Sequence, residues 1–376
     1  MEANTRFAEQ ALRGFGRAIL ELLQGRHLSR SQAKEFYRQI LLSEQPELQQ
    51  GAFLIAHLAK SPTLEEIAGA WEAQMDYDVE VIDPRLPEPS ADIVGTGSDF
   101  LKTVNVSTGA AIIAAAAGAY VAKKGSRAAT GVSGASDMFE AFGLDLEAPL
   151  TLAAQCLEEH RLCYIPGERF LKTGWGRLIK VMRFTTVFNI ACPLLMPCRS
   201  TKHLLIGTYS ASLARQVVEI GREIGLTGIL AVYGRSAAHS PEQGMDEVSV
   251  CGPTQVVEWR NGQMAEYILT PADLGVPAYP YEAIASRSTV SDNALALLAV
   301  LAGREAGAVA DLLCVNAAGV LYLLGKARSW LAGVEQAKQA LAQGRAWETL
   351  QHLVAGQQRQ PEVGLGKLNH LLQQLG

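Results

Sequence analysis

Three short strand-like runs in this chain each end in a glycine. Residues 91–94 run into Gly95, 203–206 into Gly207, and 228–233 into Gly234. Runs of this length suit buried strands rather than free-standing helices. An Ala-rich helical stretch, 108–119, follows the first, and 120–123 reads as a further strand. Residues 212–224 carry Leu213, Val217, Ile220 and Ile224 on one helical face. Strand, helix and strand in series predict a largely parallel sheet covered by helices. In such a sheet the strand ends share one edge, where open α/β folds bind their ligands.

Upstream, the chain reads as helix alone. Phe15, Ile19, Leu22 and Leu23 form an apolar stripe at helical spacing. Ser29 is placed to cap the next helix, and Thr63 with Glu66 has the spacing of a capping box. The Pro-rich stretch from Asp83 to Pro89 ends this region. The expectation is a small N-terminal helical domain, 1–85, completed by a later segment near 185–200. A larger α/β domain, 90–376, closes in C-terminal helices from Asn293.

The chain has 376 residues, of which 48% are hydrophobic and 19% charged, so it can bury a large core and is not disordered. Lys and Arg number 33 against 38 Asp and Glu, a net charge of −5 that argues against a generally basic nucleic-acid binder. No apolar run reaches membrane-spanning length, and the N-terminus lacks the apolar core of a signal peptide. Six cysteines without a CxxC read as reduced thiols. The expected setting is cytoplasmic, without membrane or nucleic-acid partners.

Three constellations carry chemistry. The first is Gly95-Thr96-Gly97-Ser98-Asp99, followed by Thr103 and by Asn105-Val106-Ser107-Thr108. A glycine turn lets backbone N–H groups approach an anion, and a helix that opens with amide and hydroxyl side chains suits phosphate. A third glycine at dinucleotide spacing is missing, which disfavours a dinucleotide site. The second is Lys123-Lys124-Gly125-Ser126-Arg127, with Thr130 and Gly131 beyond it. Three cations around a glycine at a strand end suit an anion and would face the Gly95 turn across the sheet edge; a solvated surface turn is the plain alternative. The third is Asp246-Glu247. On its own this pair reads first as an exposed acidic turn, and as a site it suits Mg²⁺ with several waters.

In order and spacing these motifs resemble the anthranilate phosphoribosyltransferase family, over roughly residues 10–355. That family carries a Gly-Thr-Gly-Gly-Asp turn, an Asn-x-Ser-Thr segment, a Lys-His-Gly-Asn-Arg segment and an Asp-Glu pair. Ser133-Gly-Ala-Ser-Asp137, Thr186-Val-Phe-Asn189 and Asn316-Ala-Ala318 add to the likeness. The resemblance implies a nucleoside phosphorylase/phosphoribosyltransferase-like α/β fold with a substrate cleft at the hinge, and a homodimer formed through the helical domain. It implies Mg²⁺-dependent displacement of pyrophosphate from phosphoribosyl pyrophosphate by an amine. The donor would be held by residues 95–99, Thr103, residues 105–108, Lys123, Lys124, Gly125, Arg127, Thr130 and Gly131. Ser107, Asp246 and Glu247 would hold the metal. Gly95, Ser126, Arg177 and Ile179 would meet the acceptor. No covalent nucleophile or general base is assigned, because an aromatic amine already offers a free lone pair.

The likeness is uneven. Lys124 stands at the family's His and Ser126 at its Asn, while Ile179 falls where an arginine meets the acceptor carboxylate. Cys192-Pro-Leu-Leu-Met-Pro197 replaces Gly-Pro-Leu-x-Asn-Pro. The acceptor is therefore anthranilate or a different aromatic or small amine. Two alternatives stand beside this reading. One is a catalytically silent homologue that binds a phosphorylated ligand or nucleic acid through Lys123, Lys124 and Arg127. The other is a nucleoside phosphorylase-like enzyme.

Overall fold

The computed structural model describes residues 8–375 apart from 129–130, 173 and 183–185, with backbone alone at 179–182. Four helices come first: α1 (Glu9–Leu23), α2 (Arg30–Leu41), α3 (Glu47–Ala59) and α4 (Leu64–Tyr77). Then strands and helices alternate: β1 (Ser90–Gly95), α5 (Val106–Ala116), β2 (Val121–Gly125), α6 (Ala135–Ala141), α7 (Leu150–His160) and β3 (Leu162–Pro166). Three short helices, α8 (Gly167–Phe170), α9 (Gly174–Met182) and α10 (Val187–Ala191), lead to β4 (Thr201–Gly207), α11 (Ala211–Glu223) and β5 (Gly228–Gly234). A hairpin follows, β6 (Thr254–Arg260) and β7 (Gln263–Leu269), and the rest of the chain is mainly helical, beginning with α12 (Val290–Leu301) and α13 (Ala308–Leu323).

The chain divides into two compact units. The first comprises Met1–Glu80, Phe170–Pro197 and Glu219–Ile224. Its helices start where the sequence places caps. Ser29 Oγ accepts from Gln32 N and Gln32 Oε1 from Ser29 N, and Thr63 and Glu66 form the same reciprocal pair. An aromatic cluster fills the interior, with Phe15 against Phe53 at 5.2 Å and Tyr37 edge-on to Phe188 at 5.1 Å. The returning segment is tied in by polar contacts. Asp78 accepts from Gly174 N and Trp175 N, both at 2.7 Å, and Trp71 Nε1 donates to Leu194 O at 2.9 Å.

The second unit comprises Val81–Arg169, Cys198–Val218 and Gly225–Gly376. It holds a seven-stranded sheet in the order β3-β2-β1-β4-β5-β6-β7. The first five strands are parallel, and β6 and β7 join antiparallel. The fold is thus a small helical domain and a larger α/β domain with a mostly parallel sheet. Strand β3 and the β6–β7 hairpin lie outside the strands read from the sequence. Helices α5 and α13 are buried on nearly every side, as their largely apolar character requires. Their packing is close enough that a Cβ at Gly109 would stand 2.7 Å from Leu313. No described helix is long and apolar enough to cross a membrane.

Strand order reverses at β1. The chain runs from β1 outward to β2 and β3, then returns to place β4 on the other side of β1. Loops leaving β1 and β4 therefore diverge and open a crevice at their carboxyl ends. Gly95 and Gly207 are partners in the β1–β4 register at that point.

Candidate functional site

The crevice at the ends of β1 and β4 receives the acidic segment. Asp246 Oδ2 accepts from Gly97 N at 2.7 Å. A Cβ at Gly95 would overlap the Asp246 carboxylate, one at Gly207 the Asp246 carbonyl, and one at Gly234 the Glu247 carbonyl. Three strands thus end in glycine so that one backbone segment can cross their tips. The next residue is clamped from beneath: Val248 N donates to Asn316 Oδ1 at 2.9 Å, and Asn316 Nδ2 returns a bond to Val248 O at 3.0 Å. The Asp246–Glu247 pair is consequently buried, not an exposed turn.

Burial and mutual repulsion set the chemistry of this pair. Desolvation, with the nearby Asp99 carboxylate, pushes Asp246 up to about 7, against the Gly97 N–H that favours its charge. Glu247 is raised well above its ordinary value by burial, then by Asp246 and Asp99, with Lys123 opposing. Neither carboxylate makes an ion pair among the described residues. Two buried carboxylates held together without a direct ion-pair partner fit a divalent cation. No group of three or more His, Cys, Asp or Glu side chains among the described residues could hold a metal unaided. The pair therefore suits Mg²⁺, which keeps several non-protein oxygens, and not a closed all-protein cage.

The glycine turn is built for backbone donors. Gly97 has φ +66° and Ser98 φ +62°, so two successive residues take the left-handed conformation. Thr96 is anchored, its N donating to Gly207 O and its Oγ1 accepting from Tyr209 N at 3.0 Å. Asp99 is buried and accepts from Lys102 Nζ at 2.6 Å. Thr103 bridges to Ala285, and Val106 begins α5. Asn105 exchanges hydrogen bonds with Ser133, while the buried Thr108 Oγ1 has no partner. Ser107 Oγ accepts from Lys123 Nζ at 3.1 Å.

The cationic cluster read from the sequence does not act as one body. Adjacent residues of a strand point to opposite faces. Lys123 turns towards α5, donating to Ile93 O at 2.9 Å and to Ser107, and burial brings it down to about 8. Lys124 turns the other way and is paired with buried Asp92. Arg127 is committed to Asp137 at 3.0 Å and Glu140 at 2.8 Å. Of the three cations, only Lys123 is brought to Ser107 and into the field of Glu247. Gly125 packs so closely that a Cβ would stand 2.6 Å from Ala135, whereas Gly131 is open around its Cα. Thr130 lies outside the described residues.

On the acceptor side, Ser126 is exposed and donates only to Arg127 O, at 3.2 Å. Arg177 belongs to the helical unit. Its guanidinium donates to Ile40 O at 3.1 Å and Gln50 Oε1 at 2.9 Å, with Glu47 at 3.6 Å. It is thus engaged as a bridge between α2 and α3. The side chain of Ile179 lies outside those described. Sequence reasoning assigned no role to Asn316 or Asp92; both are buried polar residues on apolar elements, a pattern that itself calls for a partner.

Comparison with known proteins agrees with this architecture. A model of the glycosyl transferase family, a/b domain, matches residues 88–347, and one of the same family's helical bundle domain matches residues 17–77. The chain is 35% identical over 343 residues to an anthranilate phosphoribosyltransferase of Shewanella putrefaciens, across 89% of this chain and 95% of that one. The solved anthranilate phosphoribosyltransferase of Thermus thermophilus is similar with a TM-score of 0.82 at 30% identity, covering 90% of this chain and 99% of that chain. The Saccharomyces cerevisiae enzyme, solved in complex with PRPP and Mg, is similar with a TM-score of 0.79 at 25% identity, covering 93% and 98%.

Proposed function

The chain belongs to the anthranilate phosphoribosyltransferase family of glycosyl transferases, and from that premise we propose that it moves phosphoribose from phosphoribosyl pyrophosphate to an aromatic amine. The observation that carries the proposal is the buried Asp246–Glu247 pair laid across the glycine-tipped strands beside the Gly95–Asp99 turn. Asp246, Glu247 and Ser107 Oγ would hold Mg²⁺, which when bound neutralises charge on the pyrophosphate.

The remaining work falls to the chain's own groups. Bond breaking between the anomeric carbon and pyrophosphate gives an oxocarbenium-like ribose and a more highly charged leaving group. The backbone N–H groups of Ser98, on the left-handed turn, and of Ser107, at the start of α5, are placed to receive that charge, whereas the Gly97 N–H is already given to Asp246. Lys123 adds a cation held by Ile93 O and Ser107. The amine nitrogen bonds to the anomeric carbon and then loses its proton to solvent. A homodimer through the helical unit belongs to the same proposal.

The test is thermal. Phosphoribosyl pyrophosphate with Mg²⁺ should raise the melting temperature by mass action. The Mg²⁺-dependent part should vanish in Asp246→Asn. It should grow as pH rises through about 7, because Asp246 must lose a proton to bind metal. The sign for metal-free protein is opposite. A carboxylic acid raised from 3.8 to about 7 contributes stability that is full at low pH and is lost as pH rises through that window. No response to the donor at saturation defeats the proposal, and an unchanged Mg²⁺ response in Asp246→Asn defeats the metal assignment.

A further inference from the structure

Asn316 lies near the middle of α13, and its side chain is fully buried. A buried amide in an apolar helix is unfavourable unless its donors and acceptor find partners. Here two backbones supply them. Nδ2 donates to Leu312 O of its own helix at 2.9 Å, which fixes the rotamer, and to Val248 O at 3.0 Å. Oδ1 accepts from Val248 N at 2.9 Å. The amide therefore meets Val248 as a neighbouring strand would, a donor and an acceptor facing an acceptor and a donor. Val248 is the residue after Glu247.

The helix that carries this amide is itself closely seated. A Cβ at Gly319 would overlap Leu205 of β4 and stand 2.8 Å from the Trp330 ring. Beyond the other end of the acidic pair, Met245 exchanges two backbone hydrogen bonds with Gly234, at 2.9 and 3.0 Å. Ser249 N donates to Thr254 Oγ1 at 2.8 Å. Residues 245, 248 and 249 are thus pinned, and Asp246 and Glu247 are the two residues between the pins. Asp246 has a further tether in Gly97 N. Among the described residues no hydrogen bond is donated to the Glu247 carboxylate, so its place rests on the backbone beside it. The two carboxylates repel each other, and only a held backbone keeps them side by side before a cation arrives.

Resting on the function proposed above, we infer that Asn316 is a positioning residue for the metal site: by holding the Val248 peptide it sets where the Glu247 carboxylate stands. It is not itself a ligand, because its amide is committed to Leu312 and Val248. The affinity for Mg²⁺ is therefore governed from the core helix α13. Groups that orient a metal ligand in this way change metal affinity about 10–100-fold when they are lost. The contrasting role is purely structural, an amide that only keeps Val248 N and O from being buried unpaired. That role would lower stability and leave metal affinity alone.

The experiment follows melting temperature against Mg²⁺ concentration at one saturating concentration of phosphoribosyl pyrophosphate. It compares wild type, Asn316→Leu, Asn316→Ser and Leu321→Ala. Leu321 is fully buried on the same helix and has no part in the clamp, so its truncation supplies a loss of stability alone. Without ligand, Asn316→Leu and Leu321→Ala should both melt below wild type. The Mg²⁺ concentration at half of the donor-dependent rise should increase about 10–100-fold in Asn316→Leu and stay at the wild-type value in Leu321→Ala. Asn316→Ser replaces the two-ended amide with one hydroxyl and should move that midpoint the same way by less; it carries the test if the leucine variant does not fold. A Mg²⁺ midpoint unmoved in the folded Asn316 variants overturns the inference. An equal shift in Leu321→Ala overturns it too, since the midpoint then follows stability and not position. Failure of both Asn316 variants to fold also overturns it, because the clamp then serves the fold. A wild type without any response to donor and Mg²⁺ defeats the function proposed above, and this inference with it.

Discussion

Ser98 shows how a single residue can be legible in type and opaque in cost. The family turn reads Gly-Thr-Gly-Gly-Asp, and here the fourth position is serine. Its φ of +62° is a conformation in which an L side chain crowds the following carbonyl, at about 1–2 kcal/mol. Glycine would relieve that strain but would lose more freedom on folding. Ser98→Gly is therefore expected to raise stability by about 0.5–1 kcal/mol in urea unfolding, with an unchanged donor-induced thermal shift. A loss of stability would mean the serine side chain does something in the turn beyond occupying it. Gly95 and Gly207 teach the complementary lesson. Read along the chain, Gly95 is a turn glycine that bares its N–H to a phosphate, and Gly207 merely ends a strand. In three dimensions they are the absence of two Cβ atoms in front of Asp246. The residue that explains them is about 150 positions away from the first, so the sequence signal pointed to the right place for an incomplete reason.

At the scale of the element, strand β2 turns three neighbouring cations into a question of alternation. Lys123 and Lys124 read as one cluster on paper, yet a pleated strand sends them to opposite faces, towards Ser107 and Asp92 respectively. Asp92 is doubly committed, because it also accepts from Lys124 N at 3.3 Å and Ile93 N at 2.8 Å. Removing one partner of a buried pair leaves the other charge uncompensated. Asp92→Ala should thus cost about 3–5 kcal/mol in chemical unfolding. Replacing both, as Asp92→Leu with Lys124→Met, should recover most of that, and the double variant should keep its donor-induced thermal shift. If the double variant folds but loses that shift, Lys124 belongs to the donor site after all. The same scale explains which elements the sequence disclosed. The N-cap at Ser29 and the capping box at Thr63 are local and appear where the sequence places them. The β6–β7 hairpin carried its own signal, Asn261-Gly262 between two alternating runs, and those two residues take φ of +53° and +76°. Strand β3 had no such mark: Leu162–Pro166 is a short apolar run, which periodicity cannot separate from buried helix.

For the whole molecule, the sequence disclosed the two classes of unit and a return to the helical one near 185–200, but not that the return begins at Phe170 or that Glu219–Ile224 joins it. The segment 170–197 returns to the helical unit because Asp78 caps the start of α9 and Trp71 reaches Leu194. Neither contact leaves a trace in spacing or composition, since each joins residues about a hundred positions apart. Surface character is the other property that emerges only at this scale. On the helical unit, α1 exposes Leu20 at 60% and Leu23 at 65%, and α3 exposes Leu48 at 86% and Ile55 at 49%. Scattered exposed leucines are ordinary, but three leucines and an isoleucine on two mutually packed helices, α1 and α3, are apolar surface with something to gain from burial. Each such side chain contributes about 1.5–3 kcal/mol when removed from water. A two-fold axis through one patch lets the same face meet itself, so one surface serves both partners and the assembly closes at two. Light scattering coupled to size exclusion should accordingly find a dimer of the 40.4 kDa chain. Leu23→Glu with Leu48→Glu should shift it to monomer, because a dimer would then bury like charges against each other without counter-ions. The donor-induced thermal shift should survive in that monomer, since Asp246, Glu247, Lys123 and the Gly97–Ser98 turn all lie within the α/β unit. A wild-type chain that elutes as a monomer would remove the dimer from the proposal and leave the four side chains as plain surface. A monomeric variant that no longer responds to the donor would show that assembly, and not the α/β unit alone, holds the crevice in its working geometry.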